Sequence, residues 1–162
     1  MEASRRTPHV YLFVVLALAT AARATALLEL PWNRVDLERG IVRLGSGTRL
    51  KGRATVPITD RASQALREAR ECALTPFVIE YGGKRVGRIR KAFMRAVARA
   101  GLGTDVTPHS LRRTAAVWMA EAGTPMQEIA AYLGHSNIDI TYRCYARFSP
   151  SHLRKAAQAL EA

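Results

Sequence analysis

A run of apolar residues near the start of the chain restricts the fold more than any other feature. Most residues from Pro8 to Leu30 are apolar, and Arg23 interrupts the run. The unbroken part, Val10 to Ala22, is shorter than the roughly 20 residues that cross a bilayer. Two arginines before it and small residues after it also resemble a secretory signal, which stays open as an alternative. Because the apolar pattern resumes and leads into PWNRVDLERG, we predict one buried helix from about Pro8 to Leu30.

The excess of basic residues indicates an anionic partner. The 162 residues include 25 Lys and Arg against 13 Asp and Glu, a net charge of +12. The cations are spread along the chain, and 48% of the residues are apolar, so a folded basic surface is expected rather than a disordered basic tail. Nucleic acid is the partner that such a surface favours.

The cysteines and acidic residues give no sign of a metal site. Cys72 and Cys144 stand far apart and form no CxxC pair, which predicts free thiols in a reducing, cytoplasmic setting. No Cys and His spacing fits zinc, and no acidic cluster fits Mg²⁺. We therefore expect neither a metal nor another cofactor.

Turn and capping residues divide the rest of the chain into short elements. Two β-rich runs, 41–44 and 54–58, flank the turn GSGTRLKGR and predict a hairpin, and a third strand is predicted over 76–81. Capping residues predict helices over about 60–71, 86–100, 108–122, 125–134, 136–149 and 151–160. The expected fold is a mainly helical α+β domain with one small antiparallel sheet.

Several cationic side chains fall where they could hold a phosphate. His109 and Arg112 are three residues apart at the start of a predicted helix, on one face and near its free N–H groups. Arg23 is expected within an apolar helix, where an unpaired guanidinium needs an anion. Lys51 lies in the hairpin turn, and His135 follows the helix-ending Gly134.

The tyrosines after His135 suggest a nucleophile. Tyr142 and Tyr145 are three residues apart, so packing of both on one helix face is the simplest explanation. The same sequence also holds Arg23, Lys51, the His109–Arg112 pair and His135. Together with these residues, a chemical role for one of the two tyrosines is an alternative.

Four segments, in this order, resemble the sequence boxes of the tyrosine recombinases, or phage-type integrases. They are TAARATALLELPWNRVDLERG, KGRATVPIT, TPHSLRRTAAVWMAEAG and LGHSNIDITYRCYARFSP. The resemblance covers nearly the whole chain and implies the catalytic-domain fold of that family, with a small three-stranded antiparallel sheet. It implies site-specific breaking and rejoining of DNA, as in the integration of mobile elements.

The resemblance also implies a role for each residue of the set. The family nucleophile lies nine or ten residues after the Gly-His histidine, which selects Tyr145 and leaves Tyr142 as a packing or surface residue. Arg23 and Arg112 would clamp the phosphate, His109 would accept the tyrosine proton, and His135 would hydrogen-bond the phosphate. Lys51 would protonate the leaving 5′-oxygen, although a longer turn would instead favour Arg49, which does not give up a proton.

Some features depart from the family pattern. Ala21 stands where the family usually has Gly, and Ala26 stands where it often has Glu. Residues 1–150 correspond to the catalytic domain, and the N-terminal core-binding domain of the family is not apparent. Residues 151–162 are expected to form a C-terminal helix that docks on its own domain or on a neighbour. The implied partners are double-stranded DNA, further copies of the chain in a tetramer, or a full-length integrase.

Two other functions remain open from the sequence. A degenerate recombinase would bind DNA or a partner integrase without cutting. A helix-turn-helix regulator would use QEIAAYLGHSNIDITYR as its motif, with a recognition helix beginning at Ser136 and no chemistry at Tyr145. The regulator leaves Arg23, Lys51 and the His109–Arg112 pair without a role.

Overall fold

The computed structural model describes residues 1–45, 54–149, 153–158 and 160. In these residues the chain is mainly helical, with two small antiparallel sheets. The helices are α1 (Glu2–Arg5), α2 (Pro8–Thr20), α3 (Ala24–Leu28), α4 (Asp60–Glu71), α5 (Arg90–Arg99), α6 (Pro108–Glu121), α7 (Met126–Leu133), α8 (Ile138–Tyr145) and α9 (Arg154–Gln158). Short 3₁₀ turns cover Trp32–Arg34 and Ala146–Phe148.

A three-stranded antiparallel sheet is built from β1 (Val35–Asp36), β2 (Ile41–Leu44) and β3 (Ala54–Pro57), in that order. Val42 pairs with Val35 on one side and with Val56 on the other. Val42, Leu44 and Val56 are buried, so one face of the sheet packs on the core. The predicted hairpin and the small three-stranded sheet are confirmed. The turn of the hairpin, with Lys51 and Arg49, lies outside the described residues.

The strand predicted over 76–81 is wrong for most of its length. Only Glu80–Tyr81 forms a strand, β4, which pairs with β5 (Lys84–Arg85) in a separate hairpin. Residues 76–78 run beside residues 30–32, where the Val78 amide donates to the Leu30 carbonyl at 2.9 Å. Val78 and Ile79 are buried one after the other, so this segment fills the core and does not alternate as an exposed strand does.

The single helix predicted from Pro8 to Leu30 is also wrong, because it is broken between α2 and α3. Ala21 has a left-handed backbone with φ of 50° and ψ of 23°. The Thr20 hydroxyl donates to the Leu16 carbonyl at 2.6 Å and accepts from the Ala22 amide at 3.3 Å. Arg23 therefore precedes the first turn of α3 and is exposed, and it does not lie inside an apolar helix.

Capping residues located the later helices well. The Thr59 hydroxyl accepts from the Ala62 amide at the start of α4, and Thr107 and Ser110 form a capping box on α6. The predicted start of α5 at Val86 is four residues early, because the Val86 amide donates to the Ile79 carbonyl. Asn137, and not Ser136, caps α8 by accepting from the Asp139 amide at 2.8 Å.

Two hydrophobic clusters hold these elements together. The larger cluster surrounds α2, which packs against α4, α5 and α6, and it includes buried residues of the sheet. Phe13 and Leu16 of α2 are fully buried. The smaller cluster joins α6, α7 and α8 around Ile129. No helix in the described part of the chain has both the length and the apolar character to cross a bilayer.

Candidate active site

Arg112 is the centre of the candidate site. It lies in the second turn of α6 and is only 5% exposed. Its Nη1 donates to the Ala21 carbonyl at 2.6 Å, and its Nη2 donates to the Leu133 carbonyl at 2.8 Å. Both acceptors lie at helix ends, where carbonyls lack an intrahelical partner. The guanidinium is thus held by the break after α2 and by the end of α7.

The end of α7 also positions His135. Gly134 ends the helix in the left-handed conformation with φ of 65°, and the His135 amide donates to the Ala130 carbonyl at 2.9 Å. The half-buried imidazole has its Nε2 at 3.0 Å from Arg112 Nη2. Its Nδ1 lies 2.9 Å from the Oγ1 of Thr141, which is fully buried on α8.

The electrostatics of this cluster favour an anion. Burial, and then the charge of Arg23, lowers the pKa of Arg112 to about 10, while Tyr145 opposes this shift. Burial, followed by the charges of Arg112 and Arg23, lowers the pKa of His135. Within the described residues, no carboxylate forms an ion pair with Arg112. A buried guanidinium that remains charged and lacks an acidic partner is suited to binding a phosphate.

Arg23 and Arg112 line the same small cavity, of about 50 Å³. Gly45 and Ala54, the residues on either side of the hairpin turn, also line it. The described residues that flank the segment of Lys51 therefore lie at this cavity. The other residues that line it are Ala22, Thr25, Ala26, Leu44, Tyr132 and Leu133.

Tyr145 and Tyr142 lie in different surroundings, so they do not pack on one helix face. Tyr145 is 8% exposed and belongs to the smaller cluster with Ala21 and Leu133, whereas Tyr142 is 44% exposed. Burial, and then Cys144, raises the pKa of Tyr145, while Arg112 and Arg113 lower it. Tyr145 thus lies close enough to Arg112 for its charge to act on the tyrosine hydroxyl.

The structure brings together four of the residues predicted from the sequence. Arg23, Arg112, His135 and Tyr145 interact through the contacts and charges described above. His109 lies three residues before Arg112 on α6, but its side chain is exposed, and no hydrogen bond in the described residues joins it to this group. The chemical roles that the resemblance implies for these residues stay predictions.

Sequence reasoning missed two side chains that shape the site. Thr141 contacts His135, and the Tyr132 hydroxyl lies 2.7 Å from the Ala19 carbonyl and 2.8 Å from the Pro57 carbonyl. The sequence holds a weak signal for Thr141, since it stands one helical turn before Tyr145. No local pattern points to Tyr132, because its partners lie 113 and 75 residues away.

Comparison with known proteins identifies the family. The model of the phage integrase family matches residues 1–152. The chain belongs to the phage integrase family. Among curated relatives, it is 31% identical to tyrosine recombinase XerA of Thermococcus kodakarensis over 153 residues, which cover 91% of this chain and 54% of that protein. The chain thus spans about half the length of the curated relatives it matches.

Solved structures share the fold. The crystal structure of XerA recombinase matches with a TM-score of 0.80 and 22% identity, covering 99% of this chain and 60% of that one. The catalytic domain of bacteriophage HP1 integrase matches with a TM-score of 0.71 and 30% identity, covering 97% and 86%. A lambda integrase tetramer bound to a Holliday junction matches with a TM-score of 0.72 and 20% identity, covering 89% and 44%.

Proposed function

We propose that this chain is the catalytic part of a site-specific DNA recombinase, one that breaks and rejoins DNA through a 3′-phosphotyrosine. The observation that carries the proposal is the buried guanidinium of Arg112, held by two carbonyls and His135 without an acidic partner in the described residues. On this proposal residues 1–150 form the catalytic domain, and residues 151–162 form a C-terminal segment able to dock on a neighbour.

Arg23 and Arg112 would bind the non-bridging oxygens of the scissile phosphate. They line one cavity, and the charge of Arg23 already acts on the pKa of Arg112, so the two cations are close enough to share an anion. Negative charge grows on these oxygens as the pentavalent transition state forms. Donors that are already in place stabilise that charge more than they stabilise the ground state.

The proton transfers would involve Tyr145, His109 and Lys51. As the Tyr145 oxygen forms its bond to phosphorus, the bond to the 5′-oxygen breaks and the tyrosine proton passes to His109. Lys51 would supply a proton to the departing 5′-oxygen, and His135 would hydrogen-bond the phosphate. Because burial raises the pKa of Tyr145, this step requires a proton acceptor at neutral pH. The reverse steps rejoin the DNA without an external energy source.

One observation favours a second candidate, a recombinase remnant that binds DNA without cutting it. Tyr145 is 8% exposed and packs in the smaller cluster, which restricts the movement of its side chain toward a phosphate.

The proposed partner is double-stranded DNA, which the net charge of +12 supports. Because the lambda integrase was solved as a tetramer on a Holliday junction, we propose that this chain also works as a homo-oligomer on DNA, or with a full-length integrase. A cytoplasmic location is proposed with this role, since the substrate would be DNA in the cell.

Covalent trapping tests the proposal without knowledge of the target site. The protein is incubated with a library of nicked duplexes of random sequence, so that cleavage releases a short strand and leaves the phosphotyrosine unable to reverse. Adducts that survive SDS are recovered and their DNA is sequenced. Tyr145→Phe, which keeps the buried ring, is compared with the matched variant Tyr142→Phe at the exposed position.

We expect an adduct with the wild-type protein and with Tyr142→Phe, and none with Tyr145→Phe. The adduct should also disappear in Arg112→Lys, because an ammonium cannot keep both carbonyl contacts and also bind the phosphate. DNA binding without an adduct, also when an N-terminal domain from a related recombinase is supplied, would favour the remnant and refute the cleaving enzyme.

A further inference from the structure

Arg113, the residue after Arg112 on α6, is a cation without a partner in the described part of the chain. Its side chain is exposed, and it forms no hydrogen bond or ion pair with any described residue. Arg112, in contrast, is held by two carbonyls and by His135. The charge of Arg113 is therefore available to act on a neighbouring group.

The position of Arg113 on α6 places it beside the smaller cluster. Ala116 follows it by one turn and Ala120 by two, so the three residues lie along one side of the helix. Ala116 and Ala120 pack in the smaller cluster together with Tyr145. Helix α6 also contacts α8 and the 3₁₀ turn that follows it. Arg113 thus lies at the rim of the interface in which Tyr145 is buried.

Two arginines of α6 act on the hydroxyl of Tyr145. Burial, and then Cys144, raises the pKa of Tyr145, whereas the charges of Arg112 and then of Arg113 lower it. On the proposed function a phosphate binds to Arg112, and its negative charge offsets the charge of that guanidinium. Arg113 is then the cation of this pair that still favours the ionised form of Tyr145.

Other ionisable groups stand on the elements around Tyr145. The carboxylates among them are all exposed and do not contribute to the pKa shift of Tyr145; they are Glu121, Glu128 and Asp139. The remaining groups are Arg23, His109, Tyr132, His135, Tyr142, Arg143 and Arg147. Of these, His109 lies four residues before Arg113 on α6, so the two side chains are neighbours on the helix surface. The proposed acceptor of the tyrosine proton therefore lies beside Arg113.

We propose that Arg113 activates Tyr145, by stabilising the negative charge that forms on the tyrosine oxygen as it attacks phosphorus. This inference rests on the proposed function for its effect on DNA cleavage. In that step the O–H bond of Tyr145 breaks, its proton passes to His109, and the electron pair forms the bond to phosphorus while the bond to the 5′-oxygen breaks. A cation near the attacking oxygen lowers the cost of removing its proton. Because only the charge is required, lysine should be able to replace Arg113.

Fluorine NMR of protein labelled with 3-fluorotyrosine tests this effect of charge without DNA. The chain has five tyrosines, and Tyr145→Phe identifies the signal of Tyr145. The fluorine substituent makes phenols more acidic, so a titration reaches ionisation at a milder pH. We expect a higher pKa of Tyr145 in Arg113→Gln than in the wild type, and a pKa close to that of the wild type in Arg113→Lys.

Arg143→Gln is the matched control, because it removes an equal charge from an exposed position on α8. We expect this variant to leave the pKa of Tyr145 unchanged. An unchanged pKa of Tyr145 in Arg113→Gln, or an equal rise in Arg143→Gln, would overturn the proposal. Because Arg113 is exposed and makes no hydrogen bond with a described residue, both of its variants are expected to fold.

Covalent trapping at saturating DNA then measures the effect on the reaction. If the wild-type protein forms the adduct, we expect Arg113→Gln to slow it by roughly tenfold at neutral pH, less than the loss of a donor in direct contact with the reacting oxygen. Arg113→Lys should react at close to the wild-type rate. The deficit of Arg113→Gln should shrink as the pH rises, because Tyr145 then ionises with less help.

The same assay separates activation from DNA binding and from the proposed function. A residue that only binds DNA changes the affinity, so a wild-type rate for Arg113→Gln at saturating DNA would refute the activating role. Absence of an adduct in the wild type would refute the proposed function alone, because the titration still decides whether Arg113 acts on Tyr145.

Discussion

Ala21 shows how one backbone conformation organises the candidate site. Its φ of 50° ends α2, and its carbonyl accepts from Arg112 at 2.6 Å. The left-handed conformation costs an L-residue about 1–2 kcal/mol, whereas glycine adopts it freely. The glycine usual in the family at this position is therefore explained by the conformation that Ala21 adopts here. Alanine, with the smallest side chain after glycine, tolerates it at a moderate cost.

Substitutions at Ala21 should differ sharply in their effect on stability. Ala21→Gly removes the strain but loses a buried methyl and makes the unfolded chain more flexible, so the free energy of unfolding should stay within about 1 kcal/mol. Ala21→Val adds a branched side chain to a fully buried left-handed residue and should cost at least about 2 kcal/mol. Urea unfolding measures the free energy of unfolding of both variants. Ala24→Val, at a half-buried helical position, is the control, and an equal loss there would contradict the argument.

At the scale of elements, Tyr132 joins three parts of the fold. It lies on α7, and its hydroxyl is within 2.8 Å of a carbonyl near the end of α2 and of another at the end of β3. Burial raises the pKa of Tyr132, so the hydroxyl keeps its proton at neutral pH. Because Tyr132 also lines the cavity between Arg23 and Arg112, it holds the hairpin against the candidate site.

Removal of this hydroxyl should loosen the hairpin. Tyr132→Phe removes the single hydroxyl proton that the two carbonyls share and should lower the free energy of unfolding by about 1–3 kcal/mol. For a chain of this size each kcal/mol corresponds to roughly 2–4 °C in Tm. Thermal unfolding is compared with that of Tyr142→Phe, whose exposed hydroxyl has only a 3.4 Å contact with Gln127. Equal Tm values for the two variants would show that the Tyr132 hydroxyl does not stabilise the hairpin.

The elements that could be predicted are those with local signals. Thr59 and Thr107 cap their helices, and the pattern of 41–44 and 54–58 predicts the hairpin. The break at Ala21 could not be predicted, because its neighbours all suit a helix and its partner Arg112 lies 91 residues away. The candidate site was located through the resemblance to integrases. Tyr132 was missed because its contacts arise only when distant segments pack. Thr141 was missed because its contact with His135, six residues before it, depends on how α8 turns back against the end of α7.

At the scale of the whole molecule, two histidines should make stability depend on pH. Burial lowers the pKa of His9, and burial with the charges of Arg112 and Arg23 lowers that of His135. Below about pH 6.5, the ordinary histidine value, the unfolded chain binds more protons than the folded chain. The contribution of these residues is therefore complete above pH 6.5 and is lost as the pH falls toward their lowered pKa values.

Urea unfolding between pH 8 and about pH 5 measures this dependence, above the range in which most carboxylates titrate. We expect the free energy of unfolding to fall with decreasing pH, and His135→Gln to reduce the slope. His109→Gln is the matched control, because His109 is an exposed histidine on α6. If the free energy of unfolding depends on pH equally in His135→Gln and in the wild type, His135 does not contribute to that dependence.

The distribution of charge predicts which surface binds DNA. Between Glu80 and Asp105 the chain has no carboxylate, and its cations there are Lys84, Arg85, Arg88, Arg90, Lys91, Arg95 and Arg99. All seven are exposed. Counterions released from DNA make log Kobs fall with log salt, by about 0.9 for each phosphate neutralised. The two cations in the middle of this segment, Lys91 and Arg95 on α5, are therefore expected to contact phosphates.

Lys91→Ala and Arg95→Ala should each weaken binding to duplex DNA of any sequence and reduce the salt slope by about 1. Fluorescence anisotropy over a series of salt concentrations gives both quantities. Arg39→Ala is the matched control, because Arg39 is also exposed but lies 3.9 Å from the Asp36 carboxylate, which offsets part of its charge. If the slope falls no further in the α5 variants than in Arg39→Ala, DNA lies on another face, and the net charge of +12 acts through the molecule as a whole.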